Sequence, residues 1–283
     1  MATTETLAAH DALAISEREL ASVIKLVYEK SGITLHGGKR ALILARLQKR
    51  LRAGGFNTFT DYLRHVETEA GGEEMVALLD AIATNHTSFF REVQHFDYLC
   101  KTVLPEWRKR GRPGLEVWSA ACSTGEEPFT LGMTLLDHLP AAEHGKIRIR
   151  ASDLSTKALA KARAAVYPME KVQDLHPAVL RAHFEKGLGP QAGSARVKSH
   201  VRRLVTFEQR NLLDPVDLGV RFDVIFCRNV MIYFDRDVQQ RVVSFLEGHL
   251  AEDGYLFISH SESLNGISHG LKTVAPAVFR RRP

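Results

Sequence analysis

Between residues 115 and 281 short apolar runs alternate with amphipathic stretches of helical length. Leu115–Ala120, 147–152, 204–208, Phe222–Cys227 and 254–259 read as strands, and 276–281 as a last one. Residues 127–139, a segment capped by Ser155 and running through Ala165, and 237–250 carry the 3.6-residue spacing of helices. Strands that are apolar along their whole length need cover on both faces, and intervening helices supply it. The expected class is α/β, a mostly parallel sheet with helices on both faces. Residues 167–203 break the rhythm with Gly187, Gly189, Pro190 and Gly193, and read as an insertion with its own small structure.

The chain upstream follows a different pattern. Residues 1–14 read as a frayed leader. Ser16 and Glu19 form a capping box, Leu20, Val23, Ile24 and Val27 recur at helical spacing, and Gly32 stops the helix. A second helix is expected from about Gly38 to Arg52, ending at Gly54-Gly55. A third is capped by Thr58 and Asp61, and a fourth runs from Glu73 to about Ala83. Four short helices with no strand between them suggest a small all-α domain, residues 1–85, ahead of a larger one at 86–283. A helix to about Arg110 follows the polar run Thr84-Asn85-His86-Thr87-Ser88.

Residues 39–52 contain six basic residues and no acid. Arg46, Lys49 and Arg50 fall on one face, while Leu42, Leu44, Leu47 and Leu51 point elsewhere and suit a core. Such a run is usually a solvated charged face; an uncompensated one is also suited to steering an acidic helical partner.

Composition narrows the function classes. The chain has 283 residues, 45% hydrophobic and 25% charged, with no run near the roughly 20 apolar residues that span a bilayer, so no membrane insertion is expected. No secretory signal is evident at the start, and three scattered cysteines fit a reducing cytoplasm. Thirteen histidines occur without the paired spacing of a metal site, so no metal is expected. A net charge of +5 implies acidic partners. No basic platform interleaved with aromatics appears, and no N-P-P-Y-like run, which argues against nucleic acid. A monomer is the default expectation.

In open α/β sheets ligands sit beyond the carboxyl ends of the strands. The first strand ends in Ala120-Ala121-Cys122-Ser123-Thr124-Gly125, with Glu126 and Glu127 opening the helix. Small residues let a ligand lie against backbone, and the acids suit a cation better than a phosphate. Together they point to a cofactor with an amino group and a sulfonium, S-adenosylmethionine. The second strand ends in Asp153, suited to both hydroxyls of a ribose. The next leads to Asn211-Leu212, a base edge and face, and the fourth to Cys227-Arg228-Asn229 near Tyr233. Singly, each has a plainer account. Glu126 and Glu127 complement a helix dipole, Asp153 joins a cap, Asn211 and Asn229 are turn residues, and Tyr233 packs beside Phe234. Four such residues at successive strand ends are harder to assign to chance.

Longer motifs go further. The stretches Thr84-Asn85-His86-Thr87-Ser88-Phe89-Phe90-Arg91-Glu92, Trp118 to Pro128, Ala151-Ser152-Asp153, Asn211-Leu212-Leu213, Phe222 to Phe234 and His260-Ser261-Glu262-Ser263 resemble the chemotaxis receptor methyltransferase family (CheR). The likeness runs from about Ser16 to Arg281, with Phe129 where tyrosine is frequent. It implies a Rossmann-like methyltransferase sheet with a small antiparallel β insertion, in a cytoplasmic protein-glutamate O-methyltransferase. The implied reaction turns S-adenosylmethionine into S-adenosylhomocysteine while methylating glutamates in the acidic helical region of methyl-accepting chemotaxis receptors. By motif match it implies cofactor contacts from Asn85, Thr87, Arg91, Ala121, Glu127, Asp153, Asn211, Leu212, Cys227, Arg228 and Asn229. Arg91 and Tyr233 match residues that orient the reacting groups. In some members the insertion adds a strand from a receptor tail; a plain insertion loop is the other reading here. A nucleic-acid methyltransferase and a non-catalytic ligand sensor are the rival functions.

Overall fold

The computed structural model describes residues 15–35, 40–68, 72–83, 85–214 and 216–282. The expected leader, the expected helix start at Gly38, and Thr84 lie outside them. The chain divides into two compact units, Met1–Thr84 and Asn85–Pro283. Among the described residues no helix is long and apolar enough to cross a membrane.

The first unit holds α1 (Glu17–Ser31), α2 (Arg40–Gly54), α3 (Phe59–Thr68) and α4 (Glu73–Ile82). The capping box forms: Ser16 Oγ accepts from the Glu19 N–H at 3.2 Å, and the Glu19 carboxylate accepts from the Ser16 N–H at 2.9 Å. Gly32 ends α1 at φ 72°, a conformation open to glycine at little cost. Val23, Val27, Leu47, Leu51, Tyr62, Val66 and Leu78 are fully buried between the helices.

The basic face expected on α2 is largely used up inside this unit. Arg46 Nη1 donates to the Ile82 carbonyl at 2.9 Å, and Arg50 pairs with Glu74, which also accepts from the Tyr62 hydroxyl at 2.9 Å. The reason is the neighbour: α4 presents an acidic first turn to one arginine and open carbonyls at its C-terminus to the other. Lys49 and Arg52 remain exposed.

The second unit opens with α5 (Val93–Tyr98), a π-helical turn (Leu99–Val103) and α6 (Leu104–Arg110). Then come β1 (Leu115–Ala120), α7 (Glu126–His138), β2 (Ile147–Asp153), α8 (Thr156–Ala164) and β3 (Val166–Pro168). They are followed by α9 (Pro177–His183), β4 (Phe184–Lys186), β5 (Ser194–Val197), α10 (Ser199–Arg202), β6 (Val205–Gln209) and β7 (Phe222–Cys227). Last are α11 (Arg236–His249), β8 (Leu250–Phe257), β9 (Lys272–Ala275) and β10 (Val278–Arg280). The main sheet runs β6-β2-β1-β7-β8-β10-β9. Its first five strands are parallel, and β10 lies antiparallel to both β8 and β9.

Alternation along β1 explains how both faces are covered, since successive side chains point to opposite sides. Val117 joins a core with Leu131 and Leu135 of α7, Phe96 of α5, Phe226 of β7 and Phe257 of β8. Trp118, fully buried on the other face, meets Phe222 and, from α11, Phe245, and its Nε1 donates to Ser152 Oγ at 2.9 Å. Ala120 stands level with Ser152 on one side and Cys227 on the other. The carboxyl ends of β1, β2 and β7 therefore share one edge.

The insertion forms a second sheet, β3-β5-β4, antiparallel throughout. Tyr167, Phe184, Ala195 and Val197 pack there with Phe89 and Phe129. Two details differ from expectation. Strand β8 starts at Leu250 rather than 254, through a register shift with Asp253 at φ 60°. The last strand is half of a hairpin, its partner β9 joined through Pro276 and Ala277, the latter at φ 58°. That turn lacks the glycine or asparagine that announces such a conformation.

Candidate active site

The turn after β1 is wound tightly. Ala121, Ser123 and Gly125 have φ of 64°, 51° and 94°, and non-glycine residues held there cost about 1–3 kcal/mol each. The turn is tied to the next strand end: the Cys122 N–H donates to the Ser152 carbonyl, and the Ser123 N–H to Asp153 Oδ2, both at 2.8 Å. Asp153 Oδ1 accepts from the Ser155 N–H at 2.8 Å, while Ser155 Oγ caps α8. The cap reading of Asp153 is thus part of the structure, and it fixes a buried carboxylate at the end of β2.

The two acids that open α7 divide their tasks. Glu126 is fully buried, accepts from Thr124 Oγ1 at 2.6 Å and pairs with Lys171. It holds the turn to the segment after β3. Glu127 points to the sheet edge: Oε1 accepts from Ser119 Oγ at 2.7 Å, and Oε2 lies 3.5 Å from Arg228 Nη1. Burial pushes its carboxyl above the usual range, with Arg228 and Ser119 pulling it back.

Arg228, after β7, has a side chain only 2% exposed. Its Nη2 lies 3.7 Å from Glu92 Oε2 and donates to the Arg91 carbonyl. The guanidinium sits 5.7 Å from the ring centres of Phe96 and Phe226. Two part-buried carboxylates, Glu92 and Glu127, share one guanidinium, so ionising both leaves one negative charge unmatched within this trio. Asn229, at φ 59°, donates from its side chain to Ser259 Oγ at 2.6 Å. Glu262 then gathers the N–H groups of Asn229, Met231 and Ser259 at 2.8–3.1 Å. The short 3-10 turn Met231–Tyr233 that carries Tyr233 is built on that carboxylate.

Residues 85–92 complete the edge. Asn85 Nδ2 lies 3.5 Å from Ser155 Oγ, and Thr87 is half-buried. Arg91 Nη1 donates to the His86 carbonyl at 3.0 Å, and its neighbours Phe90 and Glu92 both have positive φ. Asn211 Oδ1 accepts from the Leu213 N–H at 3.0 Å, a local turn bond, with Leu212 buried beside it. Cys227 is fully buried at the end of β7, level with Ala120. The sheet edge thus brings together the ends of β1, β2, β6 and β7, each with the polar residues that the sequence placed there.

Several working parts lie inside the sequence motifs without a role that the sequence alone assigns. Glu92 accepts from Ser259 Oγ at 2.7 Å and from the His260 N–H at 3.2 Å, and it meets His260 Nδ1 at 3.0 Å. Burial raises its carboxyl, but Ser259, Arg228 and His260 outweigh it and hold it down at about 2. His95 is buried, pushed down to about 4 by burial and by Arg228 and His260, and its ring stacks on His260 at 4.4 Å and 8°. Glu92, His95 and His260 place ligand-type atoms within 4.8 Å of one another. In stacked rings, however, the in-plane lone pairs run side by side and do not converge on one ion, and Arg228 already supplies the cation at Glu92.

A mostly parallel sheet whose strand-end carboxylates stand along one edge suits the sulfonium donor. Fold and site define an S-adenosylmethionine-dependent methyltransferase. Residues 85–278 match the family described as CheR methyltransferase, SAM binding domain, and residues 18–83 match CheR methyltransferase, all-alpha domain. The chain belongs to the CheR methyltransferase family. It is 37% identical over 276 residues to the chemotaxis protein methyltransferase of Borreliella burgdorferi, covering 94% of this chain and 95% of that one. It is 39% identical to the chemotaxis protein methyltransferase of Salmonella typhimurium, with 90% and 87% covered, and to that of Escherichia coli, with 89% and 87% covered.

Proposed function

We infer that the chain methylates glutamate side chains in the acidic helical cytoplasmic region of chemotaxis receptors, releasing S-adenosylhomocysteine. The observation that supports this most is the Glu92–Arg228–Glu127 trio, in which Glu127, on ionising, offers the ammonium group of the cofactor a negative charge that Arg228 does not fully cancel. Asp153 holds the ribose, and Asn211 and Leu212 the adenine. Asn85, Thr87, Ala121, Cys227 and Asn229 shape the remaining wall, and Arg228 acts through Glu127, since its guanidinium is turned inward. The bound cofactor supplies an electrophilic methyl on positive sulfur.

The acceptor needs no general base, because a glutamate carboxylate is already ionised at neutral pH. An acceptor oxygen held in line with that methyl would take it, the sulfur leaving as a neutral thioether, so that opposite charges are lost together. The chain's task is alignment and exclusion of water. Arg91 orients a carboxylate and Tyr233 walls the transfer position. The test is transfer of labelled methyl to a soluble receptor cytoplasmic fragment. Label released by mild base identifies a carboxyl ester. Base-stable label, or none, overturns the assignment. The exposed Lys49 and Arg52 of α2 present the positive charge for an acidic receptor helix.

A further inference from the structure

Among the described residues at this edge, His260 is a polar group with a fixed orientation and an exposed, free working edge. It lies just beyond β8, at the same carboxyl edge as Arg228 and Asn229, because β8 runs parallel to β7. Three contacts hold its ring. Nδ1 meets Glu92 Oε2 at 3.0 Å, the backbone N–H donates to the same oxygen at 3.2 Å, and the plane lies flat on His95. His95 has no hydrogen-bond partner on either nitrogen and is 1% exposed, so it serves as a platform. The His260 side chain itself is 39% exposed, and among the described residues Nε2 has no partner. An ionised Glu92 on one edge fixes Nδ1 as the donor, leaving Nε2 to face outward.

The cofactor's carboxylate ligands, Glu127 and Asp153, follow β1 and β2, while His260 stands two strands away from β1, past β7. The methyl is therefore delivered from one side of Arg228 and Asn229, and the acceptor arrives from the side where His260 stands. We propose that His260 binds the acceptor segment, its Nε2 hydrogen-bonding the glutamate carboxylate that is to be methylated. With Nδ1 turned to Glu92, the acceptor carboxylate, which can only accept, would be met by an N–H at Nε2. The role rests on the glutamate-methylating function proposed for the chain. It adds a specificity contact: an acceptor whose side chain bears no negative charge forfeits it.

Two amide variants of the full-length chain separate the ring's two edges. In His260→Asn the amide stands where Nδ1 stood and keeps Glu92 company; in His260→Gln it stands where Nε2 stood. Wild-type enzyme is first shown to place base-labile label on the receptor fragment; failure there sinks glutamate methylation itself, not the role of His260. With that established, His260→Asn is expected to lose about tenfold or more in kcat/KM for the fragment, the scale of a hydrogen bond to a charged group. His260→Gln should stay within about threefold of wild type, and both variants should bind S-adenosylhomocysteine like wild type in calorimetry. An unimpaired Asn variant overturns the proposal, since partnering Glu92 is then the whole role. Equal losses in both overturn it too, because ring volume rather than Nε2 then matters. Lost S-adenosylhomocysteine affinity marks His260 as scaffold and likewise overturns it.

Discussion

At the scale of single residues, Glu127 and Glu92 show how neighbouring carboxylates are set to opposite uses. Glu92 lies below the usual range and stays ionised, anchoring Arg228, Ser259 and His260. Glu127 lies above it, chiefly through burial. A carboxyl whose folded value exceeds its unfolded one contributes stability that is present below the unfolded value and lost as pH rises through the folded one. A ligand ammonium reverses that preference by favouring the ionised form. Affinity for S-adenosylhomocysteine should therefore strengthen as pH rises through the raised Glu127 value, with a proton released on binding. Titration calorimetry in buffers of different ionisation heat reads that proton. Glu127→Gln should weaken binding and flatten this pH dependence; a variant that keeps wild-type affinity and slope removes Glu127 from the ammonium site.

At the scale of elements, the joint between β1 and α7 depends on a residue without a side chain. A Cβ on Gly125 would stand 2.8 Å from Ala162 Cβ and 3.0 Å from the Tyr167 hydroxyl, at a φ of +94°. That hydroxyl donates to the Thr124 carbonyl at 2.7 Å, so it has little room to move. Gly125→Ala is expected to lower stability by about 1–3 kcal/mol and to weaken S-adenosylhomocysteine binding through the displaced turn. Chemical denaturation with and without ligand measures both. The parallel strands were legible because short apolar runs such as β1 and β7 are set between stretches that carry the helical period. The motif residues were legible as a set. Their partners were not, because pairings such as Glu92 with Ser259 join residues 167 positions apart, and no local pattern encodes them. Strand β9 escaped notice for a local reason, an alanine where a turn marker normally stands. The α2 face misled because a sequence shows which charges share a side but not that Glu74 and the end of α4 lie against it.

At the scale of the whole molecule, the net charge of +5 is a matter of association, not of fold. Long-range attraction by Lys49 and Arg52 is screened within roughly 10 Å at 0.1 M salt. Reversing both to glutamate should raise KM for an acidic receptor fragment several-fold, most clearly at low salt. S-adenosylhomocysteine affinity should stay unchanged; a parallel fall in both would point to damage rather than steering. Reversing Arg46 or Arg50 instead should destabilise the first unit, since each holds a partner on α4. The arrangement of the aromatic residues has a different consequence. The chain has two tryptophans, Trp107 and Trp118, both buried in the second unit. Light absorbed by indole alone therefore makes the four-helix unit optically silent. Its emission follows the melting of the sheet, and the docking of a ligand one strand-end from Trp118, without any added dye.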